Sequence, residues 1–269
     1  MKSYLALIKL GGSVITFKDK PLTANYDAIE GIVNAIALLK EEMPIILVHG
    51  GGSFGHYLSV KYDMHTRPDN YDMHGISVVH QSMISLNDMI VNLMIKKDLN
   101  PYAISPISFT SGKRPITKKI KQLYVLAENG LIPVTFGDII HINDRKYSIL
   151  SGDVIMTMIA EILNPSKVLF TVNTDGIYKD MKNKEIVREL TNDNINNTKL
   201  FDSPEIHGVA DITGGMRRKV TESFKISAKG TDVMIVNGLK PERILHALSS
   251  KTQNFQGTIV KSRLWRRKN

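Results

Sequence analysis

Apolar residues fall along this chain in short unbroken runs separated by longer stretches of helical spacing. The runs are Tyr4-Leu-Ala-Leu-Ile-Lys-Leu10, Ile45-Ile-Leu-Val48, Ile132-Pro-Val-Thr-Phe-Gly-Asp138 (ending in Gly-Asp), Lys167-Val-Leu-Phe-Thr-Val172, Asp232-Val-Met-Ile-Val-Asn237-Gly238 and Gly257-Thr-Ile-Val260. Runs without polar alternation read as strands covered on both faces, the habit of a parallel sheet. Between them, Ile29, Ile32, Val33, Ile36 and Leu39 predict a helix over 28–39, and Val79, Met83, Leu86, Ile90 and Leu93 predict a long one over 76–95. Further helices are expected over 154–163 and, opened by Asp211-Ile-Thr-Gly-Gly-Met-Arg-Arg-Lys219 with its glycines preceding the helix, to about Ala228. Another is expected over 123–128, closed by Asn129-Gly130. Residues 101–121, with Pro101, Pro106, Gly112 and Pro115, read as irregular, and Ile116–Lys121 as half of an exposed hairpin. Residues 180–205 are polar and read as an excursion. The first unit is therefore strand, glycine turn, helix, strand, glycine turn, a βαβ pattern with two candidate anion loops at one sheet edge.

The second loop, His49-Gly-Gly-Gly-Ser-Phe-Gly-His56, is the chemical focus of the chain. Its glycines let successive amides converge on an anion, and a helix starting near Ser53 adds positive potential there. His56 then stands at the edge of a phosphate site. Lys9 closes the first strand, Gly11-Gly12-Ser13 follows, and Lys18 lies in the loop beyond. A lysine in an apolar strand needs an anionic partner, unless it snorkels from an edge strand. Ser151 and Asp153 suit the start of the helix at 154–163, so capping competes with an active-site role for Asp153. Asp175-Gly176 reads as a turn, and the glycines before Lys219 form a third loop opening a helix. Gly50 to Gly55 also satisfies the dinucleotide fingerprint, but it follows the second strand. Asp69 and Asp72, the acids at the right distance, close no strand. A Walker A sequence is absent, because Ser111-Gly-Lys113 continues into Arg114. His80 reads as a structural histidine.

The 269 residues, 42% hydrophobic, suffice for one large domain or two closely joined lobes. With no cysteine, this chain has no disulfide, thiolate chemistry or thiolate zinc site. Lys9 breaks the N-terminal apolar stretch, making it a poor signal peptide, and no run approaches the roughly 18 residues of a membrane span. A cytoplasmic protein without membrane insertion is expected. The net charge of +9 arises from two segments, 113–121 and 261–268, each with five basic residues and no acid. They read as solvated basic segments, so no nucleic-acid partner is expected. Trp265 leaves docking on a partner or an acidic surface open.

Three glycine loops with Lys9, Lys18, Lys219 and His56 suit phosphoryl transfer. Such a reaction needs in-line positioning and positive charge more than covalent help. Asp153 would hold two lysines or help organise Mg²⁺.

Lys9-Leu-Gly-Gly-Ser13, the loop from His49 to His56, Gly137-Asp138, Ser151-Gly-Asp153, Thr174-Asp-Gly-Ile-Tyr178 and Thr213-Gly-Gly-Met-x-x-Lys219 together resemble the amino acid kinase superfamily, in its order and over nearly the whole chain. The Ser-Phe-Gly-His ending, Ser105-Pro-Ile-Ser-Phe109 and the helix around His80 to Asn87 resemble its isopentenyl phosphate kinase family. The resemblance implies an α/β fold, a three-layer α/β/α sandwich with a mostly parallel central sheet, usually as a homodimer. It implies a single domain over 1–269, with an acceptor lobe at about 1–165 and a MgATP lobe at about 166–269. The implied substrates are ATP and an isoprenoid monophosphate, with Mg²⁺ held mainly through the phosphates and no protein metal site. Lys9, Leu10, Gly11, Gly12, Ser13, Gly52, Asp175, Gly215 and Lys219 would bind ATP. Gly51, His56 and Gly152 would hold the acceptor phosphate, and Ile76, Val79, Met83 and Ile149 the isoprenoid tail. Lys9, Lys18, His56, Asp153 and Lys219 would form the catalytic set, with Lys18 following the γ-phosphate and Asp153 orienting the lysines. The chain has Val172-Asn173 where the family usually has an additional Asp. Fosfomycin kinase, another small-acceptor kinase of the superfamily and a nucleotide-sensing regulator on the same fold are the alternatives.

Overall fold

A computed structural model describes residues 3–64, 71–143, 146–179, 184–195, 214–249 and 255–261. Its strands are β1 (Ser3–Leu10), β2 (Ile45–His49), β3 (Pro101–Ala103), β4 (Thr110–Ser111), β5 (Arg114–Pro115), β6 (Ile132–Phe136), β7 (Asp138–Asn143), β8 (Lys146–Leu150), β9 (Pro165–Val172), β10 (Glu189–Leu190), β11 (Val233–Asn237) and β12 (Thr258–Val260). The helices are α1 (Gly12–Ile15), α2 (Tyr26–Leu39), α3 (Gly52–Lys61), α4 (Met73–Lys96), α5 (Thr117–Glu128), α6 (Gly152–Leu163), α7 (Gly214–Ser227) and α8 (Pro241–Leu248). One sheet runs β10-β12-β11-β9-β1-β2-β6-β3, and every neighbouring pair is parallel except β11 with β12.

The side-chain period of two along β1 builds the layers. Ala6, Ile8 and Leu10 join a core with Ile29 and Ile32 of α2, Leu86 and Ile90 of α4, and Ile244 of α8. Leu5 and Leu7 join the opposite core, with Ile120 of α5, Ile155 and Ile159 of α6, and Val220 of α7. Each such fully buried aliphatic side chain stabilises the fold by about 1.5–3 kcal/mol relative to exposure. The result is the expected α/β/α sandwich. By the same parity Lys9 points with Leu5 and Leu7, toward α6 and α7.

Four features depart from the sequence reading. Ile116–Lys121 is not half of a hairpin: α5 begins at Thr117, because Ile120, Leu123 and Ala127 at helical spacing are buried against the sheet. The hairpin is the preceding pair β4–β5. Residues 101–121 are also not wholly irregular, since Pro101–Ala103 pairs with β6. The antiparallel hairpin β7–β8 and the helix α8, opened by Pro241, were not anticipated. Asp69, Thr213, Trp265 and the basic tail beyond Lys261 lie outside the described residues. Asp72 caps α4, accepting from the Gly75 amide at 2.9 Å.

Candidate active site

The chain leaves β1 for β2 on one side and later places β9 on the other. Ligands of open α/β sheets bind at such a switch, outside the carboxyl ends of the strands. Here the first two glycine loops meet back to back. The Gly50 amide donates to the Leu10 carbonyl at 3.0 Å. A Cβ on Gly12 would overlap the Gly52 amide, and Gly52 sits at φ +48°, where a side chain is strained. Thr16 pins both loops: its hydroxyl donates to the Gly12 carbonyl at 2.8 Å and accepts from the Ser53 amide at 2.9 Å. Gly11 donates to the Thr171 hydroxyl at 2.9 Å, fixing the first loop to β9. Gly51 caps α3, and the Met83 sulfur packs so close that a Cβ on Gly51 would lie 3.0 Å from it.

Under these loops lie three charges. Asp153 stands in the first turn of α6 and accepts, at Oδ1, from Lys9 Nζ and, at 3.1 Å, from Lys219 Nζ of α7. All three side chains are under a tenth exposed, at 7%, 8% and 9% for Lys9, Asp153 and Lys219. The reading of Lys9 as a snorkelling edge lysine is therefore overturned: β1 is central and its partner is buried. The Phe170 ring lies 5.0 Å from Lys219 Nζ and 6.0 Å from Lys9 Nζ. Burial pulls the Lys9 ammonium down to about 8; Asp153 opposes that shift and Lys219 reinforces it. Burial alone would raise Asp153, but Lys219 and Lys9 hold its carboxyl well below the ordinary range. Two cations share one carboxylate, so the trio carries a net positive charge in dry surroundings, where an incoming phosphate meets little screening. Capping and charge organisation do not compete at this helix start, because Ser151 supplies the cap, accepting from the Val154 amide at 3.3 Å. Gly152 is held by close approach: a Cβ there would lie 3.0 Å from both the His49 carbonyl and Lys9 Cε.

The other predicted residues are distributed around this centre. Ser13 Oγ lies 3.4 Å from Asn173 Oδ1 and donates to it across the β1–β9 junction. Gly215 is in the first turn of α7, one turn before Lys219. Lys18 is exposed on the turn after α1 and, among the described residues, has no ion-pair partner. His56 is exposed in the second turn of α3. Ile76, Val79 and Ile149 pack together with Leu58 and Ile139, where α4 meets the β7–β8 hairpin. Asp175 does not join the trio; its Oδ1 takes Asn237 at 2.9 Å, Lys240 at 3.2 Å and Arg243 at 2.7 Å. A separate cavity of about 410 Å³ on α3 and α4, lined by Leu22, Phe54 and Val78 among others, includes none of the trio.

Several participants were not singled out from the sequence. Thr16 and Thr171 pin the loops, and hydroxyls in such positions carry no motif. His49 is fully buried and stacks on Phe136 at 5.3 Å between ring centres. Burial drops its pKa to about 4, so it is neutral, and its Nδ1–H donates to the Gly50 carbonyl at 3.1 Å. His80, expected to be structural, donates through Nδ1 to buried Asp138 at 2.7 Å.

The family model for the amino acid kinase family matches residues 5–237. The chain belongs to that family. Within it, the chain is 31% identical to the isopentenyl phosphate kinase of Thermoplasma acidophilum over 96% of its own length and 100% of that protein's. It is 30% identical to the isopentenyl phosphate kinase of Methanocaldococcus jannaschii, over 94% and 98% of the two chains. The crystal structure of a T. acidophilum isopentenyl phosphate kinase product complex superposes with a TM-score of 0.77 at 28% identity, covering 96% of this chain and 100% of that one.

Proposed function

We propose that this protein is an ATP-dependent isopentenyl phosphate kinase, forming isopentenyl diphosphate by direct in-line phosphoryl transfer. The observation that carries the proposal is the buried Lys9–Asp153–Lys219 trio beneath two interlocked glycine loops, in a chain similar to isopentenyl phosphate kinases over nearly its full length.

In this reading ATP lies over the β1–β9 side, on Leu10 to Ser13, Gly52, Asp175 and Gly215. Lys9 and Lys219 neutralise the transferring group, and Asp153 keeps both ammoniums aimed. The acceptor phosphate lies on the β2 side, on Gly51, His56 and Gly152, at the N-termini of α3 and α6. Its tail reaches Ile76, Val79, Met83 and Ile149. Lys18 swings in from its turn to follow the γ-phosphate. No carboxylate base is required, since the attacking atom is already a phosphate oxygen. The chain divides in function near residue 165, with the acceptor lobe before and the nucleotide lobe after.

Among the described residues no group of three or more His, Asp or Glu side chains is arranged to hold a metal. Asp153 at the centre is committed to two lysines. This donor set fits Mg²⁺ carried on the ATP phosphates, where it would supply further charge neutralisation. A cytoplasmic homodimer completes the proposal.

The test is ADP release with MgATP against isopentenyl phosphate, dimethylallyl phosphate, geranyl phosphate and fosfomycin. Turnover of the C5 monophosphates, with His56→Ala greatly slowed, is expected. Turnover of fosfomycin alone would overturn the acceptor, and ATP binding without any turnover would point to a nucleotide sensor.

A further inference from the structure

One stripe of α4 carries Ile76, His80, Met83 and Asn87 at helical spacing, and their contacts run from the end of β2 past the second glycine loop to the β7–β8 hairpin. Asn87 lies 3.3 Å from His49 Nε2, at the end of β2. The Met83 sulfur faces Gly51 and Gly55, where added Cβ atoms would lie 3.0 and 3.2 Å from it. Ile76 belongs to the apolar cluster of Leu58, Val79 and Ile139. His80 falls between, about 5 Å along the helix from the glycine-loop contact and about 6 Å from the apolar end.

Its orientation is fixed from the sheet side. Asp138 is 3% exposed and begins β7 directly after Gly137, whose own Cβ, if present, would lie 2.9 Å from the Gly152 amide. One Asp138 oxygen accepts from the Ile139 amide at 2.8 Å and the other from His80 Nδ1–H at 2.7 Å. Burial raises the Asp138 pKa, and the His80 contact offsets part of that rise. With Nδ1 so held, Nε2 is turned away from the carboxylate. The ring remains 42% exposed, and no other side-chain or backbone group among the described residues meets Nε2. A histidine serving only to tie α4 to β7 has no need of an exposed Nε2 edge at this point.

We propose that His80, oriented by Asp138 and carried as the imidazolium in the acceptor complex so that both ring nitrogens bear protons, is a second histidine for the acceptor phosphate, its Nε2–H donating to the phosphomonoester beside the group held by the glycine loop and His56. His80 is the substrate-contacting residue and Asp138 a positioning residue. A molecule with an anionic head and an apolar tail, laid along α4 from Met83 to Ile76, passes this donor at the junction of head and tail. The inference rests on the acceptor reading given above.

The experiment compares wild type, His80→Ala, His80→Gln and Asp138→Asn in steady-state kinetics, and in calorimetric titration with isopentenyl phosphate and with inorganic phosphate. His80→Ala is expected to raise the KM for isopentenyl phosphate about tenfold or more, as for loss of a hydrogen bond to a charged group, with the KM for ATP and the melting temperature unchanged. His80→Gln, which keeps an N–H donor, recovers most of the loss, and Asp138→Asn falls between. Equal acceptor and phosphate affinity in wild type and His80→Ala overturns the proposal, as does a parallel change in both KM values. If wild type does not turn over isopentenyl phosphate, the acceptor reading fails. The inorganic phosphate titration then decides for His80 alone: weaker binding in His80→Ala sustains its phosphate contact, and equal binding removes it.

Discussion

Asp153, in the first turn of α6, and Asp175, just after β9, each gather two or more nitrogen donors on a single oxygen, yet their surroundings are opposite. Asp153 and its two lysines are all under a tenth exposed. Asp175 is a third exposed, and Lys240 beside it is 45% exposed. In the dry cluster the same charges interact strongly, so Asp153 is pushed far down and Lys9 drops to about 8. In the wet cluster solvent screens the charges, and the main effect is mechanical: Asp175 ties the end of β9 to Asn237 of β11 and to α8. Burial, more than the number of partners, turns a carboxylate–cation cluster into a device for meeting phosphate.

The sharpest way to break that contrast is to neutralise each carboxylate in turn. Asp153→Asn leaves two buried ammoniums without their shared anion, and kcat is expected to fall about 10²–10³-fold, as when a preorganised charge-stabilising group is lost. Asp153→Ala should also destabilise the fold by about 3–5 kcal/mol, the scale for stripping one partner from a buried ion pair. ADP-release kinetics and denaturant unfolding check both. Similar losses in Asp175→Asn would erase the distinction.

The pH dependence comes next in size. Lys9 titrates near 8 in the free protein instead of at the ordinary 10.5. Its charge is needed for phosphate, so kcat/KM for ATP is expected to fall as pH rises through about 8. Bound ATP favours the charged form, so the limb in kcat should lie higher. The stability sign is opposite. The folded protein gives up this proton more readily than the unfolded chain, so the Lys9 contribution to stability is least favourable below about 8 and improves between 8 and 10.5. Kinetic pH profiles and melts across pH 7 to 10, in about half-unit steps, would show the two trends diverging.

How much of this was legible beforehand follows the same division between local and distant causes. The strands, the helices at 26–39, 73–96 and 152–163, and the glycine loops were readable because apolar period and glycine clusters are local signals. The importance of Lys9 was readable from one charge in an apolar run. That Asp153 could hold two lysines was readable from the set of charged residues, but a role in organising Mg²⁺ stayed open beside it, because Asp153 is 144 residues from Lys9 and no local signal joins the two. The hairpin expected at 116–121 fails because Ile120, Leu123 and Ala127 lie on one helical face that is buried against the sheet. Thr16, Thr171 and the His80–Asp138 pair were missed because their roles exist only once separate elements pack.

The smallest expected effect sharpens the wet side of the comparison. Asn237 first, then Lys240 and Arg243, hold Asp175 below the usual carboxylate range. Its stabilisation is therefore present above the ordinary carboxylate pKa of about 3.9 and is lost as pH falls through the lower folded value. The exposed Lys240 contact should contribute no more than about 1 kcal/mol, and Lys240→Ala should leave kcat unchanged. Arg243 is 9% exposed, so Arg243→Ala should cost more stability than Lys240→Ala through lost packing as well as charge. Asp175→Asn should unfold slightly earlier than wild type at pH 7, and the two curves should converge in acid. A gap that persists at low pH would mean that Asp175 acts through geometry rather than charge. A gap that matches Asp153→Asn at pH 7 would mean that solvent screens this cluster far less than its exposure implies.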